Sequence, residues 1–125
     1  MKYENLSILV VDDMSSMRMM IKSVLRKLGV INIHDANDGE KALEIIESHP
    51  LDLVICDWDM PKVDGFEVLE QVRSKSSTQE LPFIMLTAVS KRGYVTSAID
   101  AGVSDYLAKP FKPQDLIDKI QSVLA

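Results

Sequence analysis

Short apolar runs alternate along this chain with longer stretches whose apolar residues recur at helical spacing. Residues 7–11 form an apolar run that ends in Asp12-Asp13. After Ser15-Ser16, either of which suits a helix N-cap, Met17, Met20, Ile21, Val24, Leu25 and Leu28 make one continuous stripe, as a helix with one buried face requires. Arg26 and Lys27 fall in its last turn, where the helix dipole favours cations, and Gly29 supplies the stop. Residues 30–36 alternate, with Ile31 and Ile33 apolar and Asn32 and His34 polar. That predicts an edge strand with His34 toward solvent. Asn37-Asp38-Gly39 has turn chemistry, with Asp38 a candidate cap. Ala42, Ile45, Ile46 and His49 then give a second helical stripe, ended by Pro50.

The centre of the chain is the run 53–56, apolar without interruption, which predicts a strand buried on both faces. It stops at Asp57, and Met60-Pro61 and Asp64-Gly65 force an irregular loop. Residues 65–73 form a short helix with Val68, Leu69 and Val72 inward, and residues 81–86 a fourth buried strand ending at Thr87-Ala88. The next helix, 91–101, contains Gly93, Val95, Thr96 and Ile99, which lower helix propensity. It is expected to be the most mobile of the regular elements. Gly102 ends it, residues 105–108 make a fifth strand before Lys109-Pro110-Phe111, and Pro113 opens a last helix with the stripe Leu116, Ile117, Ile120, Val123 and Leu124. Strands alternating with helices predict one α/β domain over residues 1–125, a doubly wound three-layer sandwich on a five-stranded parallel sheet. In such a fold the winding reverses once, and ligands bind beyond the strand C-termini at that reversal.

Composition narrows the class without naming a chemistry. At 46% hydrophobic and 26% charged, this is an ordinary globular chain, and a net charge of −5 argues against a general nucleic-acid binder. The single cysteine, Cys56, lies inside the apolar run, so no disulfide framework exists and Cys56 is read as a small buried hydrophobe. No apolar run is long enough to span a membrane, and residues 1–5 lack a signal-peptide core, so a cytoplasmic location is expected.

The chemistry gathers at the strand ends. Four of the five strands end in polar groups at the same rim: Asp12-Asp13, Asp57, Thr87 and Lys109. Three carboxylates in one crevice need a cation, and oxygen-only ligands without His or Cys favour Mg²⁺ over Zn²⁺. No glycine-rich phosphate cradle follows the first strand, which argues against a nucleotide or flavin. A metal, a carboxylate nucleophile, a hydroxyl donor and a lone ammonium suit phosphoryl transfer.

Val10-Val11-Asp12-Asp13, Asp57-Trp58-Asp59-Met60-Pro61 with Asp64-Gly65, Leu86-Thr87-Ala88 and Lys109-Pro110-Phe111 together resemble the receiver domain of two-component response regulators. The likeness covers essentially the whole chain and is greatest to the single-domain chemotaxis regulators, through Met17-Arg18, Asp57-Trp58 and Gly102 with Tyr106. It implies a flavodoxin-like sheet of strand order 2-1-3-4-5. It further implies that Asp57 accepts a phosphoryl group from a phosphohistidine of a sensor histidine kinase and later loses it by autodephosphorylation. Mg²⁺, or Mn²⁺ in its place, would be held by Asp13, Asp57 and the backbone carbonyl of Asp59, with Asp12 acting through water. Lys109, preceding a cis proline, would pair with Asp57 and then with the phosphoryl oxygens. Thr87 would turn to the phosphoryl group and Tyr106 would follow, altering an output face along Arg92, Val95, Tyr106 and Lys119. That face, built by the fourth helix, fifth strand and fifth helix, would meet a downstream protein; a phosphatase is a further expected partner, nucleic acid and membrane are not.

Asp59 and Val89 depart from the commonest chemotaxis pattern, in which position 59 is often Asn and position 89 polar or acidic. The resemblance implies that both positions neighbour the path of the hydrolytic water. Two other roles for a receiver domain remain open in the sequence: a module of a larger regulator, and a phosphorelay shuttle. Asp57-Trp58-Asp59 also matches the Asp-x-Asp pair of haloacid-dehalogenase-type phosphatases. Those enzymes carry their acidic metal pair late in the chain and usually a cap, whereas here the pair is early and no segment remains to form one.

Overall fold

The computed structural model describes residues 3–88 and 92–125. Val89 and Lys91, and the side chain of Arg92, lie outside the described residues. After a single turn at Tyr3–Asn5 the order is β1 (Ser7–Val11), α1 (Ser15–Leu28), β2 (Asn32–Ala36), α2 (Gly39–Ser48), β3 (Leu53–Asp57), α3 (Gly65–Ser74), β4 (Phe83–Ala88), α4 (Arg92–Asp100), β5 (Asp105–Lys109) and α5 (Pro113–Leu124). The five strands form one parallel sheet in the order β2-β1-β3-β4-β5. The winding therefore reverses between β1 and β3, and the loops after those two strands flank the crevice this creates.

Strand alternation sorts the core into two layers. Ile8, Val10, Leu53, Ile55, Ile84, Leu86 and Leu107 face α1 and α5, where Ile21, Val24, Leu25, Leu116 and Ile120 meet them. Leu9, Val11, Val54, Cys56, Phe83 and Met85 face the other way, onto α2, α3 and Ala98 of α4. The same parity fixes the site. Asp12 continues the row Ile8–Val10, Asp57 the row Leu53–Ile55, and Lys109 follows Leu107, so all three emerge on the α1/α5 side of the rim. Thr87 follows Phe83 and Met85 and emerges on the other.

Several local expectations change in the structure. Neither Ser15 nor Ser16 caps α1: the N-cap is Met14, without a side-chain cap. Oδ1 of Asp12 accepts the Met14 N–H at 2.9 Å instead, so the site carboxylate organises the helix start. Val30 is not in β2, because Gly29 (φ 102) and Val30 close α1 by donating to the carbonyls of Arg26 and Leu25. Ile31, left in the turn, is 74% exposed. His34 is half-buried rather than solvent-facing, its ring centroid 4.7 Å from that of His49, the C-cap of α2. β4 starts at Phe83 because the Leu81 N–H is taken by Thr78 and Pro82 has none to give. It runs on through Thr87 and Ala88, which pair with Ala108 and Lys109. Asp38 and Pro113 do act as predicted, as N-cap of α2 and first residue of α5.

Candidate functional site

Lys109 is the cation that the buried carboxylates need. Its Nζ donates to Oδ2 of Asp12 and to Oδ1 of Asp57, each at 3.0 Å. Asp12 is wholly buried and Asp57 is 5% exposed, so these are charge-assisted bonds in a medium that strengthens them. The Asp12 carbonyl also accepts from Nη1 of Arg18 at 2.7 Å, and Nε of Arg18 donates to Asp35 at 3.2 Å. Asp13 stays exposed. Asp12, Asp13 and Asp57 each present one oxygen within 4.8 Å of the others.

One ammonium between two buried carboxylates leaves the crevice short of positive charge. Burial pushes the Asp57 carboxyl up to about 6, and the neighbouring charge of Asp12 adds to it; the Lys109 hydrogen bond pulls down but does not prevail. For Lys109 burial acts downward, yet its bonds to Asp12 and Asp57 and their charges outweigh it, and the ammonium is held above its usual range. Burial first, then the charges of Asp57 and Asp12, drive the Cys56 thiol well above the ordinary thiol range. A thiol so held is inert, as expected of a core residue. Across the rim, Oγ1 of Thr87 is buried without a hydrogen-bond partner among the described residues. Such a hydroxyl is destabilising unless something accepts from it.

The loop after β3 is held against the site by backbone contacts. Trp58 donates its N–H to the Leu86 carbonyl and accepts at its own carbonyl from Gly65, both at 2.9 Å. A Cβ at Gly65 would sit 2.2 Å from the Asp57 carbonyl oxygen, so only glycine lets α3 start this close. The Asp59 side chain is exposed and lies 3.5 Å from the Tyr94 hydroxyl. The Lys109-Pro110 peptide is cis.

The expected output residues fall into two groups. Tyr106 and Lys119 are neighbours, with the Lys119 ammonium 5.7 Å from the Tyr106 ring and 3.2 Å from Oδ1 of Asp105. Val95 is half-buried on α4. The sequence does not announce the anchoring of Asp12 by Arg18, the sharing of Lys109 between two carboxylates, or the contact of Tyr94 with Trp58 and Asp59. No spacing rule links residues that meet only after the sheet is assembled.

Three clustered carboxylates with only oxygen donors fit a hard divalent ion such as Mg²⁺, while the ammonium and the Thr87 hydroxyl, unpaired among the described residues, suit an anion beside it. A doubly wound sheet with these groups at its reversal defines a class of domain that handles a phosphoryl group beside a metal. Comparison with known proteins gives the family. The model of the response regulator receiver domain matches residues 8–121. The chain is 42% identical over 118 residues to the chemotaxis protein CheY of Pseudomonas aeruginosa, covering 94% of this chain and 95% of that one. The structure of the chemotaxis response regulator CheY4 of Vibrio cholerae matches with a TM-score of 0.88 at 33% identity, over 95% of this chain and 98% of the other. The receiver domain of a sensor histidine kinase from Pseudomonas aeruginosa, solved with a magnesium ion coordinated in its active-site cleft, matches with a TM-score of 0.85 at 31% identity, over 95% and 97%.

The chain belongs to the response regulator receiver domain family. It is homologous to chemotaxis regulators of the CheY type, and the family is one of phosphorylation-activated switches in two-component signalling, which work with histidine kinases. No helix among the described residues is long and apolar enough to cross a membrane.

Proposed function

We propose that Asp57 is the phosphoacceptor and that the chain is a self-dephosphorylating switch rather than a turnover enzyme. A carboxylate oxygen of Asp57 attacks the phosphorus of a kinase phosphohistidine. The P–N bond breaks, the imidazole leaves, and an acyl phosphate remains until water hydrolyses it. The observation that carries this reading is the shared ammonium, with Lys109 Nζ 3.0 Å from both Asp12 and Asp57 in a buried crevice. In that position it is free to follow charge from the carboxylates to a transferred phosphoryl group.

Asp13 and Asp57, with the backbone carbonyl of Asp59, would hold Mg²⁺ (or Mn²⁺), and Asp12 would act through water. Bound there, the ion supplies the positive charge that lets two anions approach each other. Thr87 contributes the buried hydroxyl that lacks a partner among the described residues, and a phosphoryl oxygen would satisfy it. As Thr87 turns, Tyr106 gains room to move, and the face carrying Arg92, Val95, Tyr106 and Lys119 changes for a downstream protein. We take that output to be of the chemotaxis kind in a cytoplasmic chain, on the strength of the relative's name and its 95% coverage.

The test is direct. In millimolar Mg²⁺, acetyl phosphate should place an acid-stable, hydroxylamine-labile acyl phosphate on Asp57 and change the emission of Trp58, the single tryptophan. Asp57→Asn should show neither. Equal labelling of the two proteins would overturn the assignment, and sustained turnover of phosphomonoesters would favour a phosphatase.

A further inference from the structure

Among the helices, α4 has the least to hold it. Only Ala98 among its described side chains is buried, and Gly93 has open space where a side chain would stand. Tyr94 is the exception. Its ring lies 4.0 Å from that of Trp58 with 12° between the planes. Trp58 in turn stacks on Phe66 of α3 at 5.2 Å and 26°. Because Trp58 is only 5% exposed, the three rings make a closed stack that joins α3, the residue after Asp57, and the first half of α4. The Tyr94 hydroxyl lies 3.5 Å from Oδ1 of Asp59. One side chain of α4 thus touches both residues that follow Asp57.

We propose that Tyr94 is a positioning residue for the phosphoacceptor loop: it clamps Trp58 and touches Asp59, and so couples the state of Asp57 to the first half of α4 by a route separate from Thr87 and Tyr106. The proposal rests on Asp57 being the phosphoacceptor. A clamped loop presents its groups to an incoming ion with less ordering still to be done, which strengthens binding. Conversely, a change at Asp57 that shifts Trp58 or Asp59 must slide the Tyr94 ring or carry α4 with it. Aromatic pairs support coupling of about threefold to tenfold in an equilibrium.

The test compares the intact chain with Tyr94→Phe, Tyr94→Leu and Tyr94→Ala. Mg²⁺ binding is read by calorimetry, and amide exchange of residues 93–98 by mass spectrometry, with and without acetyl phosphate. Tyr94→Ala should bind Mg²⁺ about threefold to tenfold more weakly. Its α4 amides should exchange faster before phosphorylation by a similar factor, so that phosphorylation changes them less. Tyr94→Phe, which keeps the ring, should restore the α4 protection. Should Tyr94→Ala melt near the assay temperature, Tyr94→Leu carries the same comparison. Variants that only melt earlier, with Mg²⁺ affinity and α4 exchange within about twofold of the parent, would make Tyr94 a packing residue and overturn the proposal. Failure of the parent to label relative to Asp57→Asn would overturn the reading of Asp57 instead, so the two outcomes are distinguishable.

Discussion

The two ends of the β-sheet present opposite kinds of concavity. At the C-terminal ends of the strands lies a crevice in which, among the described residues, Asp12, Asp57 and Thr87 are the buried polar ones. At the N-terminal ends a groove of about 1090 Å³ opens between Leu43, Ile46, Val72, Leu81 and Val123. By volume alone the groove is the natural ligand site. Several of its polar groups, however, are already paired. Asp52 accepts from the Ser7 N–H at 2.8 Å, Thr78 donates to the Val72 carbonyl at 2.7 Å, and Lys75 meets Glu47 at the edge. At the other rim, among the described residues, the charges do not balance and the Thr87 hydroxyl has no partner. The proposed function follows the unbalanced charge rather than the empty space.

The sharpest way to break this contrast is one substitution at each end. Asp57→Asn should reduce acyl-phosphate labelling to background, more than a hundredfold, because it removes the proposed nucleophile and Asp12, the other carboxylate on Lys109, is wholly buried. Ile46→Ala, in the groove and 7% exposed, should leave labelling within about twofold while lowering stability by about 2–4 kcal/mol through the cavity it creates. Labelling rates and urea melts read both. A groove variant that labels poorly while fully folded would mean that the two ends communicate.

Lys109→Met tests the charge deficit itself. With the ammonium gone, Asp12 and Asp57 face each other without its counter-charge, and leaving buried charge uncompensated is strongly destabilising. Uptake of a proton by the crevice limits the effect, and a loss of about 2–3 kcal/mol in metal-free buffer at pH 7 is expected, with labelling reduced at least tenfold. Mg²⁺ should recover part of the stability but not the labelling. No destabilisation would show that the crevice is wetter than its burial implies.

These charges also show what a reader of the sequence can see. The strands, their parallel arrangement and the gathering of Asp12, Asp57, Thr87 and Lys109 at one rim are all legible, because apolar runs and their polar ends are local signals. The side of the sheet is set by parity, which becomes visible once the strand boundaries are fixed. Two boundaries are obscured by neighbours: Val30 looks like strand but closes α1, and Pro82 delays β4. His34 is polar and sits at an alternating position, yet it is half-buried because His49 lies across it. Arg18 and Tyr94 lie on helices whose sequence gives no hint of their partners. Those partners come from strand ends and loops that only the assembled sheet brings near.

The raised carboxyl of Asp57 makes stability depend on pH in a definite sense. Its folded value of about 6 lies above the ordinary 3.8, so the folded chain binds the extra proton between those limits. The associated stability is fully present below about pH 4 and is lost as pH rises through about 6. Relative to Asp57→Asn, which stays neutral, the metal-free parent should therefore fall behind by about 2 kcal/mol between pH 4 and pH 7, after allowing for solvent at the crevice mouth. The difference between the two melting curves isolates this group from other carboxylates. Mg²⁺ at pH 7 should stabilise the parent more than the variant. A flat difference would place Asp57 in an ordinary, hydrated setting and remove the contrast between the two ends.

The smallest effect is expected at the groove edge, and its smallness is informative. Lys75 and Glu47 form an ion pair just as Lys109 and Asp57 do, but the side chains at the groove are 45% and 60% exposed, against 21% and 8% at the site. Water screens the first pair and solvates either partner when the other is removed, so Lys75→Met should shift stability by no more than about 0.5 kcal/mol. Labelling with acetyl phosphate should be unchanged. Raising the salt from 0.05 M to 0.5 M should erase even that shift, because exposed charges lose their attraction within a few ångströms at such ionic strength. The effect of Lys109→Met should survive the same salt. The same substitution at two lysines, each paired with a carboxylate, thus separates burial from charge as the source of the site's behaviour. Equal effects at Lys75 and Lys109 would show that neither end of the sheet is special.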